Sequence, residues 1–285
     1  MNTSLSSQGS DNLEWARAAA KNPSTPPKIL EELYNFENCR LWLSQNPSCS
    51  VKLIGKLGKK EAFQHLDSTN WRMAVAHVLS HKNASTKTII EILKWTDGFL
   101  NKKRPDDDMP DGISSSLDTY FESPAAHNLN TPVEWLKKFE KSSNETTIFW
   151  LLGNPNLPKD LIDKYVEIVL KIFEHKELHK YSQISTNTSL TFLQIEKLSQ
   201  HPQYYIRENI GRNLSTPVSI LIKLLSDSEV QVQYGVIFNP HTPLKELEQK
   251  LLLSNFDLIK LGVENPSRYI EAIKRAISRH PDTNR

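Results

Sequence analysis

The sequence predicts an all-α fold, a solenoid of stacked helix–turn–short-helix repeats with about nine turns and a period of about 26 residues. Three observations predict it. A short Asn-led turn recurs along the chain, its last copies are evenly spaced, and an apolar run with helical spacing follows each clear copy. The clearest turns read Asn22-Pro23-Ser24-Thr25-Pro26, Asn128-Leu129-Asn130-Thr131-Pro132, Asn213-Leu214-Ser215-Thr216-Pro217 and Asn239-Pro240-His241-Thr242-Pro243. Weaker copies stand at Asn46, Asn83, Asn154, Asn187 and Asn265. From Asn187 through Asn213 and Asn239 to Asn265 each step is 26 residues, and a fixed step of roughly 20–50 residues marks a solenoid.

Each place in the turn has an expected role. Asn in the first place tolerates the left-handed conformation that ends a helix. Thr or Ser in the fourth is expected to cap the next helix through its hydroxyl. Pro in the fifth suits the first helical residue, where no backbone N–H is needed. Apolar residues then return at helical spacing, as in Ile220, Leu221, Leu224 and Leu225, or Val133, Leu136 and Phe139. A polar break such as Ser226-Asp227-Ser228-Glu229 leads to a second apolar segment, Val230 to Phe238. One such repeat cannot bury its apolar face alone, so neighbours must stack.

The copies Cys39-Arg40 to Ser50, Ile206-Arg207 to Pro217 and Val232 to Pro243 resemble the leucine-rich repeat variants, an α-solenoid family of HEAT-like architecture. The resemblance runs from about Trp15 to Arg279. It implies a right-handed superhelix in which longer α-helices alternate with short helical segments, and it leaves activity open. The repeat here is slightly longer than the family's, and several copies lack the Arg. The Cys-rich N-terminal piece of the family's iron–sulfur member has no counterpart here, so no cofactor is expected.

Along the chain, residues 1–10 read as a disordered tail, and 11–285 as a single solenoid. Leu13 to Ala20 closes an incomplete first repeat. The long step from Asn46 to Asn83 places extra residues around Gly55 to Lys60 and in a longer helix, Trp71 to His81. An exposed loop is expected at about 97–118. Asn101 to Gly112 combines Pro, Gly and clustered charge without apolar period. Trp95-Thr96-Asp97 would end the helix before that loop. Leu161 to Phe173 reads as another long helix, and Pro281 to Arg285 as part of a solvated cap.

Composition narrows the function. Lys and Arg number 35 against 33 Asp and Glu, a formal charge of +2, whereas a dedicated nucleic-acid binder shows a strong basic excess. The first third is the basic part, with 12 basic and 8 acidic residues in 1–95. Cys39 and Cys49 have no CxxC neighbour, so neither a disulfide framework nor a zinc site is suggested. No apolar run of about 18 residues exists to span a membrane. Met1 to Asp11 lacks the apolar core of a signal peptide. A reducing, cytoplasmic setting fits best, and no feature specifies an oligomeric state. His77 with His81, and His175 with His179, lie four apart but lack a third metal ligand nearby. Most of the six tryptophans read as packing between repeats, Trp95 beside the loop excepted. There is no phosphate loop, nucleophile elbow or paired-carboxylate motif, so no catalytic residue is assigned.

These features point to a non-catalytic scaffold binding another macromolecule, a protein above all, along its surface. Arg40 and Arg207 stand six places before a turn Asn. There a guanidinium either bonds carbonyls of a neighbouring repeat or meets an acidic partner. The candidate partner-binding residues are Arg207, Arg212 and Lys223, with Tyr204 as an aromatic neighbour. The alternative is a nucleic-acid protein. Tyr204-Tyr205-Ile206-Arg207-Glu208-Asn209-Ile210-Gly211-Arg212 resembles a segment of the HEAT-like alkylpurine DNA glycosylases. In those enzymes an aromatic follows the Gly, where this chain has Arg212.

Overall fold

A computed structural model describes residues 5–100, 120–172 and 175–283. Among these residues the chain forms eighteen α-helices and no strand. It divides into two compact units, Met1–Asn154 and Pro155–Arg285. The first unit holds α1 (Leu5–Lys21), α2 (Pro27–Leu33), α3 (Glu37–Gln45), α4 (Val51–Leu57), α5 (Ser68–Ser80), α6 (Thr86–Leu100), α7 (Glu122–His127), α8 (Val133–Phe139) and α9 (Glu145–Gly153). The second holds α10 (Lys159–Lys171), α11 (His175–Tyr181), α12 (Phe192–Leu198), α13 (Tyr204–Arg212), α14 (Val218–Leu224), α15 (Val230–Ile237), α16 (Leu244–Leu251), α17 (Asn255–Lys260) and α18 (Pro266–Arg279).

Helices that precede a turn pack on one another in sequence. In the first unit α1 meets α3, α3 meets α5, α5 meets α7 and α7 meets α9. In the second, the 3₁₀ helix Ser182–Thr186 meets α13, α13 meets α15, and α15 meets α18. The apolar periodicity supplies the core: Leu30, Leu43, Leu53, Ile54, Val78, Leu79, Leu136 and Leu151 in one unit, Ile206, Ile210, Leu221 and Val236 in the other, all buried. Helices α13 and α15 approach closely at Gly235. A Cβ on Gly235 would stand 2.6 Å from the Glu208 carbonyl oxygen, so only glycine fits.

The turns hold together differently from the sequence expectation. Asn46, Asn128, Asn154 and Asn213 end their helices with extended backbone, φ between −67° and −76°, and none of the four is left-handed. Their role lies in the side chain. The amide of Asn213 donates to the Ser185 and Asn187 carbonyls (2.9 Å each), and that of Asn239 to Gly211 and Asn213 (2.8 and 2.9 Å). Asn46, Asn128 and Asn154 bond the preceding turn in the same way within the first unit. Their amide oxygens are equally employed: Asn213 Oδ1 accepts from the Ser215 N–H and Asn239 Oδ1 from His241. One asparagine thus closes its own turn and ties it to the one before.

The fourth and fifth places are also corrected. The hydroxyls of Thr25, Thr131, Thr216 and Thr242 donate backward, to Ala19, Ala125, Ile210 and Val236 carbonyls at 2.6–2.7 Å. They fill unpaired acceptors at the end of the helix already made and do not cap the next one. Pro132, Pro158, Pro217 and Pro243 sit at the N-cap itself without a side-chain cap, and their fixed φ sets the entry angle.

Two of the predicted turn residues are replaced by histidine. At the third turn His81, not Asn83, ends the helix. Its Nδ1 accepts from the Asn83 N–H (3.0 Å) and its Nε2 faces the Asn46 carbonyl (2.9 Å). At the C-terminus His280 does the same with Asp282 N–H and the Thr242 carbonyl. Asn265, expected as the last turn, instead caps α18 by accepting from the Arg268 N–H. An imidazole carries one acceptor and one donor, so it reproduces most of what the amide does.

Both ends of the expected boundaries move. Helix α1 starts at Leu5, so residues 5–10 are helical where a disordered tail was expected; adding residues to an existing helix costs little. Residues 1–4 lie outside the described residues. Helix α6 runs to Leu100, through the expected end at Trp95-Thr96-Asp97 and the start of the expected loop. The Thr96 hydroxyl folds back on the Ile92 and Leu93 carbonyls. The rest of that loop, from 101 on, lies outside the described residues.

Candidate interaction surfaces

The four residues singled out from sequence fall on α13 and α14, and no hydrogen bond, ion pair or ring contact joins any two of them. Arg207 is spent on structure. Its Nε and Nη2 grip both Asp227 oxygens at 2.8 Å, and Nη1 donates to the His201 and Pro202 carbonyls. Only 13% of its side chain is exposed. The Asp227 hydrogen bond raises the Arg207 pKa. Burial pulls the Asp227 carboxyl upward, but the bonds from Arg207 and the Glu229 N–H win and hold it below its ordinary value. The assignment of Arg207 to partner binding is therefore corrected: it staples the α14–α15 break to α13. Arg40 does the equivalent work, donating to the Tyr34 and Ala62 carbonyls.

Arg212 is 51% exposed and pairs with Glu208 one helical turn earlier at 2.7 Å. Lys223 is exposed on α14. Tyr204 is 39% exposed, with its ring edge-on to Tyr205. In the glycosylase-like segment, Ile206, Ile210 and Gly211 are buried, and a Cβ on Gly211 would press on Val236 at 3.0 Å. Packing accounts for that pattern.

A better-formed surface lies in the first unit, between α2, α4 and α6. A groove of about 330 Å³ is lined by Tyr34 and by Lys52, Lys56, Lys59 and Lys87, with Glu91 on its wall. Lys59 is held by Glu91 at 2.8 Å, and Lys52 lies 3.8 Å from Glu31. Lys56 stands over the Tyr34 ring, and among the described residues neither it nor Lys87 has a carboxylate partner. The end of α4 packs closely on α6 beside the groove: a Cβ on Gly58 would lie 2.5 Å from Thr88. Sequence reasoning passed over this site. Its signal was Lys52, Lys56 and Lys59, which at steps of four and three share one helical face.

A second pocket, about 450 Å³, opens between α5, α7 and α9. His77, Tyr120, His127 and Trp150 form its walls, with Ser123 and Asn144 beside them. His127 meets Trp150 edge-on at 4.5 Å between ring centres. Burial holds the His77 pKa below its ordinary value, and the buried part of the otherwise exposed His127 ring lowers that one too. His77 Nδ1 is buried without a hydrogen-bond partner, a state that costs about 1–3 kcal/mol. His81, by contrast, has both ring nitrogens engaged by backbone, so of the two histidines four apart, His81 is a turn device and His77 a pocket wall. Among the described residues no group of three or more His, Cys, Asp or Glu is placed to hold a metal ion, and no helix is long and apolar enough to cross a membrane.

No protein-family model matches the sequence, and no curated protein matches it. A crystal structure described as that of an engineered protein aligns with 97% of this chain and 86% of its own, at 15% identity and a TM-score of 0.34.

Proposed function

We propose that this chain is a non-catalytic repeat scaffold, a right-handed solenoid of the leucine-rich-repeat-variant type, that binds an acidic segment of a protein partner. The docking surface is the lysine groove between α2, α4 and α6. The observation that carries this reading is the pair of lysines, Lys56 and Lys87, that line the groove without a carboxylate partner. Exposed lysines without counter-charge complement an acidic partner and steer its approach. Glu31 and Glu91 cancel part of the field, which suits a short acidic peptide better than a run of phosphates. The two buried thiols, Cys39 and Cys49, fit a reducing, cytoplasmic setting; burial pushes the Cys49 pKa up to about 12, so it behaves as a packed apolar side chain.

The test is a titration of the full chain with a fluorescent Glu-rich peptide, its Gln-rich counterpart and single-stranded DNA. Lys56→Glu combined with Lys87→Glu should weaken the acidic peptide by about tenfold or more and leave helical circular dichroism unchanged. Equal affinity for the Gln-rich peptide would remove the charge argument. DNA binding tighter than the peptide, and falling steeply with salt, would replace this reading with the nucleic-acid one.

A further inference from the structure

We propose that the pocket between α5, α7 and α9 is a recognition site for one uncharged aromatic side chain of a partner, a ring bearing a single polar hydrogen such as tyrosine or tryptophan. This inference is independent of the lysine groove.

Size, walls and polarity each contribute. The volume, about 450 Å³, lies in the range of sites that enclose a small ligand group. Trp150, His127 and Tyr120 offer ring faces and edges, and aromatic pairs in offset or edge-on arrangement gain energy beyond their buried area. Tyr120 is 41% exposed, an apolar surface left in contact with water. No Lys, Arg, Asp or Glu lines the pocket, so a charged ligand would lose its hydration without meeting a counter-charge.

Hydrogen bonding then favours a phenol or an indole over a plain hydrocarbon. Some polar side chains around the pocket have internal partners: the Ser123 hydroxyl pairs with Thr147 at 2.9 Å, the Ser80 hydroxyl donates to the His77 carbonyl, and Asn144 Oδ1 accepts from the Thr146 N–H. The two imidazoles differ. His127 has its ring contact with Trp150 and no hydrogen bond, and His77 Nδ1 has no partner. A neutral imidazole offers one donor and one acceptor, chosen by tautomer, so the exposed His127 ring can serve an O–H or an N–H group.

The experiment uses the full chain and three blocked tripeptides, Gly-Tyr-Gly, Gly-phosphotyrosyl-Gly and Gly-Leu-Gly, with adenosine as a fourth probe. Nuclear magnetic resonance follows the ring signals of His77, His127 and Trp150. The tyrosine peptide should shift these signals saturably, with affinity about tenfold above the leucine and phosphotyrosine peptides. His127 is exposed, so His127→Ala should keep the melting temperature and weaken the tyrosine peptide by about tenfold. Trp150→Leu should do the same, and the exposed His127 keeps the test decisive if that variant unfolds. Absence of a saturable shift, equal binding of the leucine or phosphotyrosine peptide, tighter binding of adenosine, or insensitivity to His127→Ala would each overturn the proposal.

Discussion

The turns at Asn213 and Asn239 and those at His81 and His280 do one job with two chemistries. The asparagine turns use three hydrogen bonds per side chain: one accepted from the residue two ahead, two donated to carbonyls of the turn before. The histidine turns use two, one accepted and one donated. An asparagine amide forks, and an imidazole does not. His81 reaches the Asn46 carbonyl across 35 residues and His280 the Thr242 carbonyl across 38; Asn213 and Asn239 span 26 to 28, and Asn128 reaches Leu79 and His81 across 49 and 47. Both side chains serve irregular steps, so the distance along the chain does not choose between ring and amide.

The largest effect should come from breaking an asparagine turn. Asn213→Ala removes three hydrogen bonds and leaves the Ser185 and Asn187 carbonyls short of a buried donor. With net losses of about 1 kcal/mol per bond and the added cost of unpaired acceptors, destabilisation of about 3–4 kcal/mol is expected in chemical denaturation. The Ser215 amide should lose its hydrogen-exchange protection at the same time. Ser215→Ala is the contrast. Its hydroxyl reaches the Thr188 carbonyl at 2.6 Å in an exposed position, so its loss should cost no more than about 1 kcal/mol. Similar values for the two variants would show that the buried amide is not what ties the turns.

A smaller effect separates two glycines. Gly235→Ala drives a methyl to 2.6 Å from the Glu208 carbonyl, and overpacking of this kind costs about 1–3 kcal/mol. Gly55 lies within α4, where a Cβ would meet the Thr88 hydroxyl at an ordinary 3.6 Å. Gly55→Ala should stabilise by about 0.5–1 kcal/mol through helix preference. Melting temperatures moving in the same direction would refute the close approach of α13 and α15.

The all-helical fold and most of its turns were legible because each turn carries several residues at fixed offsets, and apolar residues return at helical spacing. What sequence missed was the direction of each bond. Thr216 beside Pro217 looks like a cap, yet a hydroxyl can turn backward to an unpaired carbonyl just as well. Asn265-Pro266 kept the 26-residue step while His280-Pro281-Asp282-Thr283 held the geometry; matching letters outranked an equivalent ring. Arg207 was offered as a binding residue because a cation in a repeat reads as exposed, and its partner, Asp227, lies in the next break, 20 residues on. The lysine groove was written in the spacing of Lys52, Lys56 and Lys59, but its third wall comes from α6, a repeat away.

The smallest effect tests whether histidine is merely a substitute. His81 accepts at Nδ1 from a backbone N–H and faces a carbonyl with Nε2, so the folded turn holds it neutral, protonated at Nε2. Burial lowers its pKa, the Lys82 charge lowers it further, and the Asn46 carbonyl opposes them. The folded value thus lies below the unfolded one of about 6.5, and the unfolded chain binds more protons between the two. Stability from this group is complete above the unfolded value and is lost as pH falls through the folded one. His201, also lowered chiefly by burial, adds to the same slope. His81→Asn should change stability at pH 7 by no more than about 1 kcal/mol, since an amide supplies the same acceptor and donor. It should also reduce, without abolishing, the decline in stability below about pH 6.5. Denaturation midpoints across pH 5 to 8 measure both. A decline as steep as in the parent chain would mean that protonation of His81 does not open this turn, and that the ring is held there by packing alone.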